Sequence, residues 1–554
     1  MKNTILISTL LFLVVFGINV TIRQDVIVNE TLIADDLIFM PSALSDSCTV
    51  NKRGFIAKSF LCHVVGAKSI FQGRLIFIAY LSLVSVLFFQ LLSHSAVHRL
   101  IAFLCAVCIF AGIPMLSQTT FLTGSYPLHG LLFTILGIWF ASYNLARRRL
   151  FPFGYLSFLG LFLLLLFAGV ATASNALASF ILVPFAVYSF MRRDETMTTL
   201  AWVFVSFGPA VLLTALQFSG VFSNHYGKKL GWIEFSSNRI LSQISKHQHA
   251  LDDRIGTLAV YLVLFCLLIS IVFYIHKNVS LLRIRNGFNI AADSGFESNR
   301  PIVLTGSFIF GFFISLLPSL AVSGSPARYT VIPLFFLFGL SYLLLDHLFK
   351  NTNKTIAKVS IVVVSLSSAL YSTNKLSQNH NSSFEQRSLD QVLVRDFLFN
   401  KAETFAEQAQ ILIYSNAKAM SFTSGFNHWS TNFSRLASGR QDITALIGQK
   451  GWMTDNPFTG EYKNHDPKYW GVRNGRQYRK KMVGLDILRP TYIFEFSNNG
   501  FTQLDCIAVN SSNEKSIYYF DKVSGNKVEE ETSSVLNKAP HTEIQNCAVF
   551  ILSE

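Results

Sequence analysis

The chain has 554 residues, of which 51% are hydrophobic and only 14% are charged, and its net charge is +14 at pH 7. This composition excludes a soluble globular protein of this length and indicates a multi-pass membrane protein. A bilayer core about 30 Å thick needs roughly 20 mostly apolar residues per helix. Such runs recur as far as residue 373 and then stop.

The apolar runs predict eleven membrane-spanning helices. Short basic segments between them include Arg147–Arg149 and Arg192–Arg193, which fall on one side if the spans alternate. The positive-inside rule makes that side cytoplasmic, so that the loops 21–72 and 220–254 are external. The first helix lacks a small-x-small cleavage site and is expected to stay as an anchor. The predicted spans are 4–20, 73–93, 99–117, 127–145, 153–170, 173–191, 199–219, 255–276, 302–322, 328–346 and 356–373.

The composition becomes polar after Tyr371, which predicts a transmembrane domain over 1–373 and an external soluble domain over 374–554. The Asn- and Ser-rich stretch 372–383 is interpreted as a linker. A helix is expected over 385–409, followed by a small α/β domain. Its expected strands are 410–414, 491–496, 516–520 and 547–552.

Four of the seven cysteines fall in predicted external segments. Cys48 and Cys62 share the first external loop, and Cys506 and Cys547 share the carboxy-terminal domain. Each pair is a disulfide candidate in an oxidising compartment. The C-x-x-C pair Cys105 and Cys108 lies within a predicted span, where packing is favoured over metal binding.

The pair Asp35-Asp36 follows the first helix and precedes an apolar run, Leu37–Met40. Acidic side chains at a membrane surface cost free energy, which suggests a functional role. The alternative is that the pair caps an interfacial helix beginning near Leu37, and the two roles are compatible.

Basic residues also lie in the external segments, against the usual charge asymmetry. Each has two interpretations, as a ligand of a lipid-linked phosphate or as an interfacial anchor on lipid head groups. Arg328 is the first candidate for a leaving phosphate. For Arg74 the anchor comes first. The other candidates of this group are Tyr329, Lys228 and Lys229.

Two further segments carry functional candidates. The loop 220–254 has histidines and aspartates between 247 and 253, but a complete metal-ligand set is not evident, and no metal or other cofactor is expected. It is interpreted as a lid or acceptor-binding segment, or as an ordinary solvated loop. In the carboxy-terminal domain, Trp429, Trp452 and Trp470 are candidates for stacking on a glycan acceptor, or for packing at the lipid interface.

The stretches Ala34–Ser42, Gln72–Arg74 and Ser325–Tyr329 resemble segments of bacterial glucosyltransferases that modify surface polysaccharides such as O antigen. With the order of spans and the soluble domain, the whole chain resembles the GT-C class of polyprenyl-phosphate-sugar glycosyltransferases. This resemblance implies an inverting hexosyltransferase of the bacterial inner membrane with a periplasmic catalytic face. It also implies that Asp35 is the general base, with Asp36 positioning it or holding substrate.

The implied partners are membrane lipid, an undecaprenyl-phosphate-sugar donor and a polysaccharide acceptor of the lipopolysaccharide type, with no nucleic acid. A donor synthase and a donor-supplying flippase are implied as further partners. Two other functions stay open: an O-antigen polymerase or ligase, and a transporter or flippase of lipid-linked glycans. A polymerase would rest on later loops, and a transporter would place charged or broken segments at mid-membrane depth.

Overall fold

The protein is described from a computed structural model. The described residues fall into two compact units, the first made of residues 2–24 and 70–381 and the second of residues 25–30 and 382–551. Within these limits the structure describes residues 2–30, 70–115, 126–145, 152–172, 180–191, 194, 196–218, 296–321, 331–415, 427–449, 486–497, 500–510, 514–534 and 546–551.

Helices dominate the described residues. Ile113–Met115 and Ala402–Thr404 form short 3-10 turns, and Asn381–Glu385 forms a π turn. The α-helices are α1 (Lys2–Ile22), α2 (Gln24–Val28), α3 (Ile70–His94), α4 (Arg99–Phe110), α5 (Tyr126–Leu145), α6 (Pro152–Thr172), α7 (Val183–Met191), α8 (Thr196–Phe218), α9 (Phe296–Ala321), α10 (Val331–Asn351), α11 (Thr355–His380), α12 (Gln386–Lys401) and α13 (Asn427–Ser438).

Six of the described helices are long and apolar enough to cross a membrane, which supports the membrane character predicted from the sequence. Shorter apolar helices cover Arg99–Phe110, Leu156–Val170 and Arg300–Ser315. The expected span 255–276 lies outside the described residues. The six candidate spans are Thr4–Ile22, Ile70–His94, Leu128–Leu145, Thr196–Leu216, Val331–Asn351 and Thr355–His380.

Several sequence-based boundaries are wrong. Among its described residues, the span expected over 173–191 is helical only from Val183. The helix expected over 385–409 ends at Lys401 and is followed by a 3-10 turn.

The helix expected over 99–117 ends at Phe110 and gives way to a 3-10 turn at Ile113–Met115. The stretch 372–383, expected to be a linker, is helical, because α11 continues to His380 and a π turn follows it. Its serine and asparagine side chains resemble a linker in composition, but Ser372 is buried and bonds to the backbone of α4.

The core of the first unit is an aromatic cluster between α3, α4, α9 and α10. The ring of Phe335 lies 5.1 Å from Phe88 and 5.9 Å from Phe308 by ring centroids. Gly339 lies against the ring of Phe308. A Cβ added at Gly339 would come within 2.2 Å of a ring carbon, so the contact leaves no room for a larger residue. Small residues thus let these helices approach closely, as is common in membrane bundles.

Several chain segments meet at the turn 95–98 between α3 and α4. The buried carboxylate of Asp346 accepts a hydrogen bond of 2.7 Å from the backbone N–H of His98 and one of 2.6 Å from Lys350. Arg300 donates to the carbonyl of His94 over 2.7 Å. The end of α10 and the start of α9 therefore lie at the same end of the unit as this turn, as alternating spans require. The opposite end of the helices is called the far end below.

The second unit contains two four-stranded sheets, which confirms the predicted α/β character of the carboxy-terminal region. In the first sheet the order is β2-β1-β3-β4, with β1 parallel to β2 and β3 and with β4 antiparallel to β3. The second sheet has the order β7-β6-β5-β8. The strands are β1 (Gln410–Ser415), β2 (Thr444–Gln449), β3 (Thr491–Ser497), β4 (Gly500–Leu504), β5 (Cys506–Asn510), β6 (Glu514–Phe520), β7 (Lys527–Ser534) and β8 (Cys547–Ile551).

The two sheets share one apolar core. Leu412, Leu446 and Ile493 of the first sheet pack with Ile507 and Phe520 of the second. The strands alternate as expected for sheets that bury a face, so neighbouring residues point to opposite sides. On the other face of the second sheet, Cys506 and Cys547 lie on paired positions of β5 and β8 and form a disulfide.

Candidate functional site

Most of the predicted site residues lie outside the described residues. Among those in the described part, Arg74 lies in the first turns of α3 and Trp429 in the first turn of α13. Those outside it are Asp35, Asp36, Cys48, Cys62, Lys228, Lys229, Arg328, Tyr329, Trp452 and Trp470.

Arg74 is buried, with only 2% of its surface exposed. An interfacial anchor extends its charged head to water and lipid phosphates, so the burial of Arg74 disfavours the anchor interpretation of this residue. A buried guanidinium at the end of an apolar helix is costly, and such residues usually have a structural or ligand-binding role. Arg74 therefore stays a candidate for binding an anionic group.

A second buried arginine, Arg23, directly follows α1 and is 1% exposed. Its Nη1 donates a hydrogen bond of 2.7 Å to Oδ1 of Asn19. The sequence analysis did not select Arg23. The sequence feature that could have identified Arg23 is its place at the predicted external end of the first span, where the positive-inside rule does not expect a basic residue.

The positions of helices α1 and α3 place Arg23 and Arg74 at one level. Ser8 lies 3.5 Å from Gln90 near the turn 95–98, whereas Asn19 bonds to the carbonyl of Phe110, so α1 runs away from the turn as its numbering rises. Arg23 lies 15 residues beyond Ser8, and Arg74 lies 16 residues before Gln90. At a rise of about 1.5 Å per residue, these separations are about 22 and 24 Å. Both arginines thus lie at the far end.

A hydrogen-bonded pair of polar side chains lies nearby along α3. The hydroxyl of Tyr80 and Nδ1 of His129, in the first turn of α5, are 2.8 Å apart. The imidazole of His129 is 3% exposed. Tyr80 is about 9 Å along the helix from Arg74. Tyr80 therefore lies at about the same level of the bundle as Asn19.

At this level of the bundle, the end of α4 leaves buried main-chain groups without partners inside the helix. Ser372 of α11 accepts a hydrogen bond from the N–H of Ile113 and donates one to the carbonyl of Cys108, both over 3.1 Å. Asn19 donates to the carbonyl of Phe110 over 3.0 Å. Side chains from two other helices therefore satisfy the end of α4. In membrane proteins, broken helices of this kind occur where backbone is enclosed by protein or lines a cavity.

These groups form a polar layer near the far end of the first unit, defined by Asn19, Arg23, Arg74, Tyr80, His129 and Ser372. Two guanidinium groups in this layer carry fixed positive charge. A guanidinium presents N–H donors in a planar fork that matches two oxygens of a phosphate. The layer is therefore suited to an anionic ligand with several oxygen acceptors, and the apolar helices around it suit a ligand attached to a lipid.

The cysteines of α4 are packed inside the first unit. Cys105 and Cys108 are buried free thiols, and Cys108 Sγ lies 3.9 Å from the carbonyl of Ser368 on α11. Among the residues that the structure describes, no three His, Cys, Asp or Glu side chains come together as candidate metal ligands.

In the second unit, the two ends of the parallel strands β1–β3 differ in their hydrogen bonding. At the amino-terminal ends, the side chain of Gln410 donates to the carbonyl of Asp486 over 2.6 Å and to Thr491 over 3.1 Å. Beside it, Arg440 donates to the carbonyls of Ala402, Phe405 and Ala406. Structural hydrogen bonds therefore occupy the polar groups named here at the amino-terminal ends of the strands.

Trp429 lies on the side of the carboxyl ends of these strands. Helix α13 connects the parallel strands β1 and β2, so its first turn lies toward the carboxyl end of β1. In open α/β sheets, ligands bind outside the carboxyl ends of the strands, where neighbouring connections leave in opposite directions. The order β2-β1-β3 creates such a point beside β1. The position of Trp429 is compatible with the acceptor role predicted for it.

Arg440 also sets the ionisation of a neighbouring carboxylate. It forms an ion pair with Asp442, whose carboxylate accepts a further hydrogen bond of 2.8 Å from the N–H of Gln408. The hydrogen bond from Arg440, with the one from Gln408, lowers the pKa of Asp442 well below its usual range. The pair fastens the end of α12 to the segment before β2, which is a structural role.

The described residues define a mostly helical protein with six candidate membrane-spanning helices and a carboxy-terminal α/β region. No protein-family model matches the chain, and no curated protein sequence matches it.

Proposed function

We propose that this chain is an inverting glycosyltransferase of the GT-C type, which moves a hexose, by resemblance glucose, from undecaprenyl phosphate to a surface glycan such as O antigen. The proposal places it in a bacterial inner membrane with eleven spans. The far end of the first unit is then periplasmic, and the turn 95–98 is cytoplasmic.

The observation that carries the proposal is the burial of Arg74 at the start of α3, at 2% exposure, within an apolar helical unit. A lipid-linked sugar phosphate needs a cation at the depth where the phosphate meets the hydrocarbon. The place of Arg74 at the start of a candidate span supports this role. It lies in the segment Gln72–Arg74, one of the stretches that carry the family resemblance. The candidate spans and the α/β region are also compatible with this architecture.

The proposed reaction requires one proton transfer and one bond exchange. The acceptor hydroxyl attacks the anomeric carbon and gives its proton to the carboxylate of Asp35. The bond between that carbon and the phosphate oxygen breaks, and undecaprenyl phosphate leaves with an additional negative charge. Fixed cations such as Arg74 and Arg328 stabilise this charge in the transition state.

The test is sugar transfer in cells that make the lipid-linked donor. Asp35→Asn and Asp36→Asn are compared with the wild type at equal membrane levels, and the sugar added to surface polysaccharide is measured by mass spectrometry. Glu30→Gln, which removes a nearby acid without touching the pair, is the matched control. Loss of transfer in Asp35→Asn with normal transfer in Glu30→Gln supports the mechanism. Full transfer in both aspartate variants rejects it.

One observation favours a second candidate, a flippase of lipid-linked glycans. The end of α4 at Phe110 places broken backbone in contact with Asn19, which also bonds the buried Arg23, and broken helices of this kind occur at transport sites. Reconstituted vesicles separate the two candidates. A transferase forms a new glycosidic bond when donor and acceptor are on the same side, whereas a flippase moves the lipid-linked glycan across the bilayer and forms no bond.

A further inference from the structure

We infer that the junction of α10 and α11 binds the phosphate head group of an anionic glycerophospholipid of the membrane. Lys354 and Lys358 contact the phosphate, and the ring of Phe349 holds Lys358 in place. The inference goes beyond the proposed function and does not depend on it, because this junction lies at the turn 95–98, at the opposite end of the first unit from the polar layer.

The ring of Phe349 lies between groups of two other segments. Its centroid is 4.7 Å from that of the His98 imidazole, and Nζ of Lys358 lies over the ring at 5.5 Å from the centroid. An ammonium group within about 6 Å of an aromatic face is attracted to it. The N–H of Lys358 donates to the carbonyl of Lys354 over 3.1 Å, so the two lysines are one turn apart and their side chains are neighbours.

The two lysines lie on the side of α11 that faces the bundle. Ser365 marks this side, because it is buried and its carbonyl accepts a hydrogen bond of 2.8 Å from Tyr342 of α10. Lys358 and Lys354 precede Ser365 by 7 and 11 residues, about two and three turns, so they share its face. Phe349 follows Tyr342 by 7 residues, which brings its ring to the level of Lys358. Basic groups between membrane helices are typical binding sites for lipid head groups.

The charges of the two lysines are available to an anion. Within the described part of the chain, neither Lys354 nor Lys358 forms an ion pair. The carboxylate of Asp346, on α10, is buried and already bonded to Lys350 and to the N–H of His98. Lys350 therefore has a structural role, whereas the two lysines of the junction carry positive charge that a phosphate would neutralise.

The surface beside the lysines indicates a lipid as the source of the phosphate. Helix α11 is a candidate span, and Ile356, Val359 and Val363 on it are 82%, 57% and 53% exposed. An exposed apolar surface on a candidate span suits the tails of a lipid. The lysines lie at the start of this span, where basic side chains reach the phosphates of head groups. A phospholipid matches both surfaces, whereas a soluble acidic partner matches only the lysines.

The experiment titrates the purified full-length chain in detergent with phosphatidylglycerol and counts bound lipids by native mass spectrometry. Phosphatidylcholine, which has similar tails but no net charge, is the comparison lipid. The wild type should bind the first phosphatidylglycerol more tightly than the first phosphatidylcholine. We expect Lys354→Gln and Lys358→Gln each to weaken this first binding of phosphatidylglycerol about fivefold, as loss of one basic residue beside a head group does. Lys358→Arg keeps the charge and should keep most of the binding.

Lys375 provides the matched control. It is a half-buried lysine of the same helix, 17 residues beyond Lys358 and thus about 26 Å away along the axis. Lys375→Gln removes the same charge from the same helix, far from Phe349, and should bind phosphatidylglycerol like the wild type. Equal weakening in Lys375→Gln, Lys354→Gln and Lys358→Gln overturns the inference, because it shows an effect of net charge alone. Wild-type binding in both junction variants overturns it as well.

The role of Phe349 as a positioning residue has its own test. Phe349→Leu keeps an apolar side chain but removes the ring, so we expect a weaker preference for phosphatidylglycerol over phosphatidylcholine. Phe349→Tyr retains an aromatic face for the ammonium group and should restore the preference. An equal loss in both variants contradicts the role of the ring.

Glycerol phosphate, the head-group chemistry without tails, separates a lipid site from a site for a free phosphate. At millimolar concentration it should not displace phosphatidylglycerol, and displacement overturns the lipid as occupant. Equal binding of the two lipids by the wild type also overturns the inference, and it leaves an acidic protein segment as the alternative partner. Size-exclusion chromatography checks folding. Lys354 is exposed and its side chain makes no capping hydrogen bond, so Lys354→Gln keeps the inference testable if Lys358→Gln does not fold.

Discussion

The side-chain amide of Asn19 donates a hydrogen bond to the main-chain carbonyl of Phe110, 3.0 Å away. This contact joins the first helix to the point where α4 ends, although the two residues are 91 positions apart. A buried carbonyl at a helix end inside an apolar unit needs a donor, since hydrocarbon offers none. Asn19 supplies it and also orients Arg23.

We therefore expect Asn19→Ala to destabilise the first unit. The substitution leaves the carbonyl of Phe110 with one donor fewer and releases the guanidinium of Arg23, at a cost of about 1–3 kcal/mol. Thermal unfolding of the purified chain in detergent measures the change. Ser8→Ala is the control, because Ser8 lies in the same helix as Asn19 and loses only the long 3.5 Å contact with Gln90 of α3. It should shift the melting temperature little. Equal shifts in both variants would contradict the role of Asn19.

A second prediction concerns the close approach of α9 and α10 in the aromatic core. A Cβ at Gly339 would lie 2.2 Å from a ring carbon of Phe308. Gly339→Ala must therefore displace a packed ring, and overpacking of this kind costs about 1–3 kcal/mol. We expect a clear fall in melting temperature and in the yield of folded protein.

Gly160→Ala is the matched control for Gly339→Ala. Its added Cβ would meet only a ring carbon of Phe140 at 3.6 Å, which is ordinary contact. Because alanine also favours helix over glycine by about 1 kcal/mol, this variant should be neutral or slightly stabilised. A loss as large as that of Gly339→Ala would mean that the aromatic cluster does not constrain the bundle.

The sequence predicted the elements whose pattern is local. Apolar runs of helical length predicted α1, α3 and α10, and alternating apolar residues predicted β1 and β3. These features depend on burial along one element, which composition and periodicity report directly. The same reasoning failed where a distant contact decides the structure. Ser372 lies in a stretch with the composition of a linker, yet its bonds to α4 belong to a helix interface.

The candidate site shows the same division. Arg74 was selected from its place beside a span, but its burial, which disfavours the anchor, is a tertiary property. Arg23 was overlooked because it adjoins the first span directly, and only its contact with Asn19 separates it from an ordinary flanking charge. The strand β7, with three consecutive glutamates, was not predicted either, since a charged edge strand lacks the apolar alternation.

A third prediction concerns the disulfide of the second unit. Cys506 and Cys547 join β5 and β8 across 41 residues of sequence. Removing a native disulfide from small secreted domains typically costs about 2–5 kcal/mol. We expect Cys506→Ala with Cys547→Ala to increase proteolysis of the carboxy-terminal region in membranes. The pair Cys105→Ala and Cys108→Ala, which removes two buried free thiols, tests for general sensitivity to cysteine loss and should leave that region protected.

The last prediction is a pH dependence set by Arg440 and Asp442. Because the hydrogen bonds from Arg440 and from the N–H of Gln408 lower the pKa of Asp442 in the folded state, the carboxylate stabilises the fold when ionised. This contribution is fully present above the ordinary aspartate pKa of about 4 and is lost as the pH falls toward the lowered pKa. Solvent screens the pair, since the Asp442 side chain is 37% exposed, so the effect is modest. Asp442→Asn should lower the free energy of unfolding, measured with urea, at pH 7. Between about pH 4 and 2, this free energy should depend less on pH in the variant than in the wild type. An unchanged acid dependence in this variant would show that Asp442 does not contribute to the acid sensitivity of the second unit.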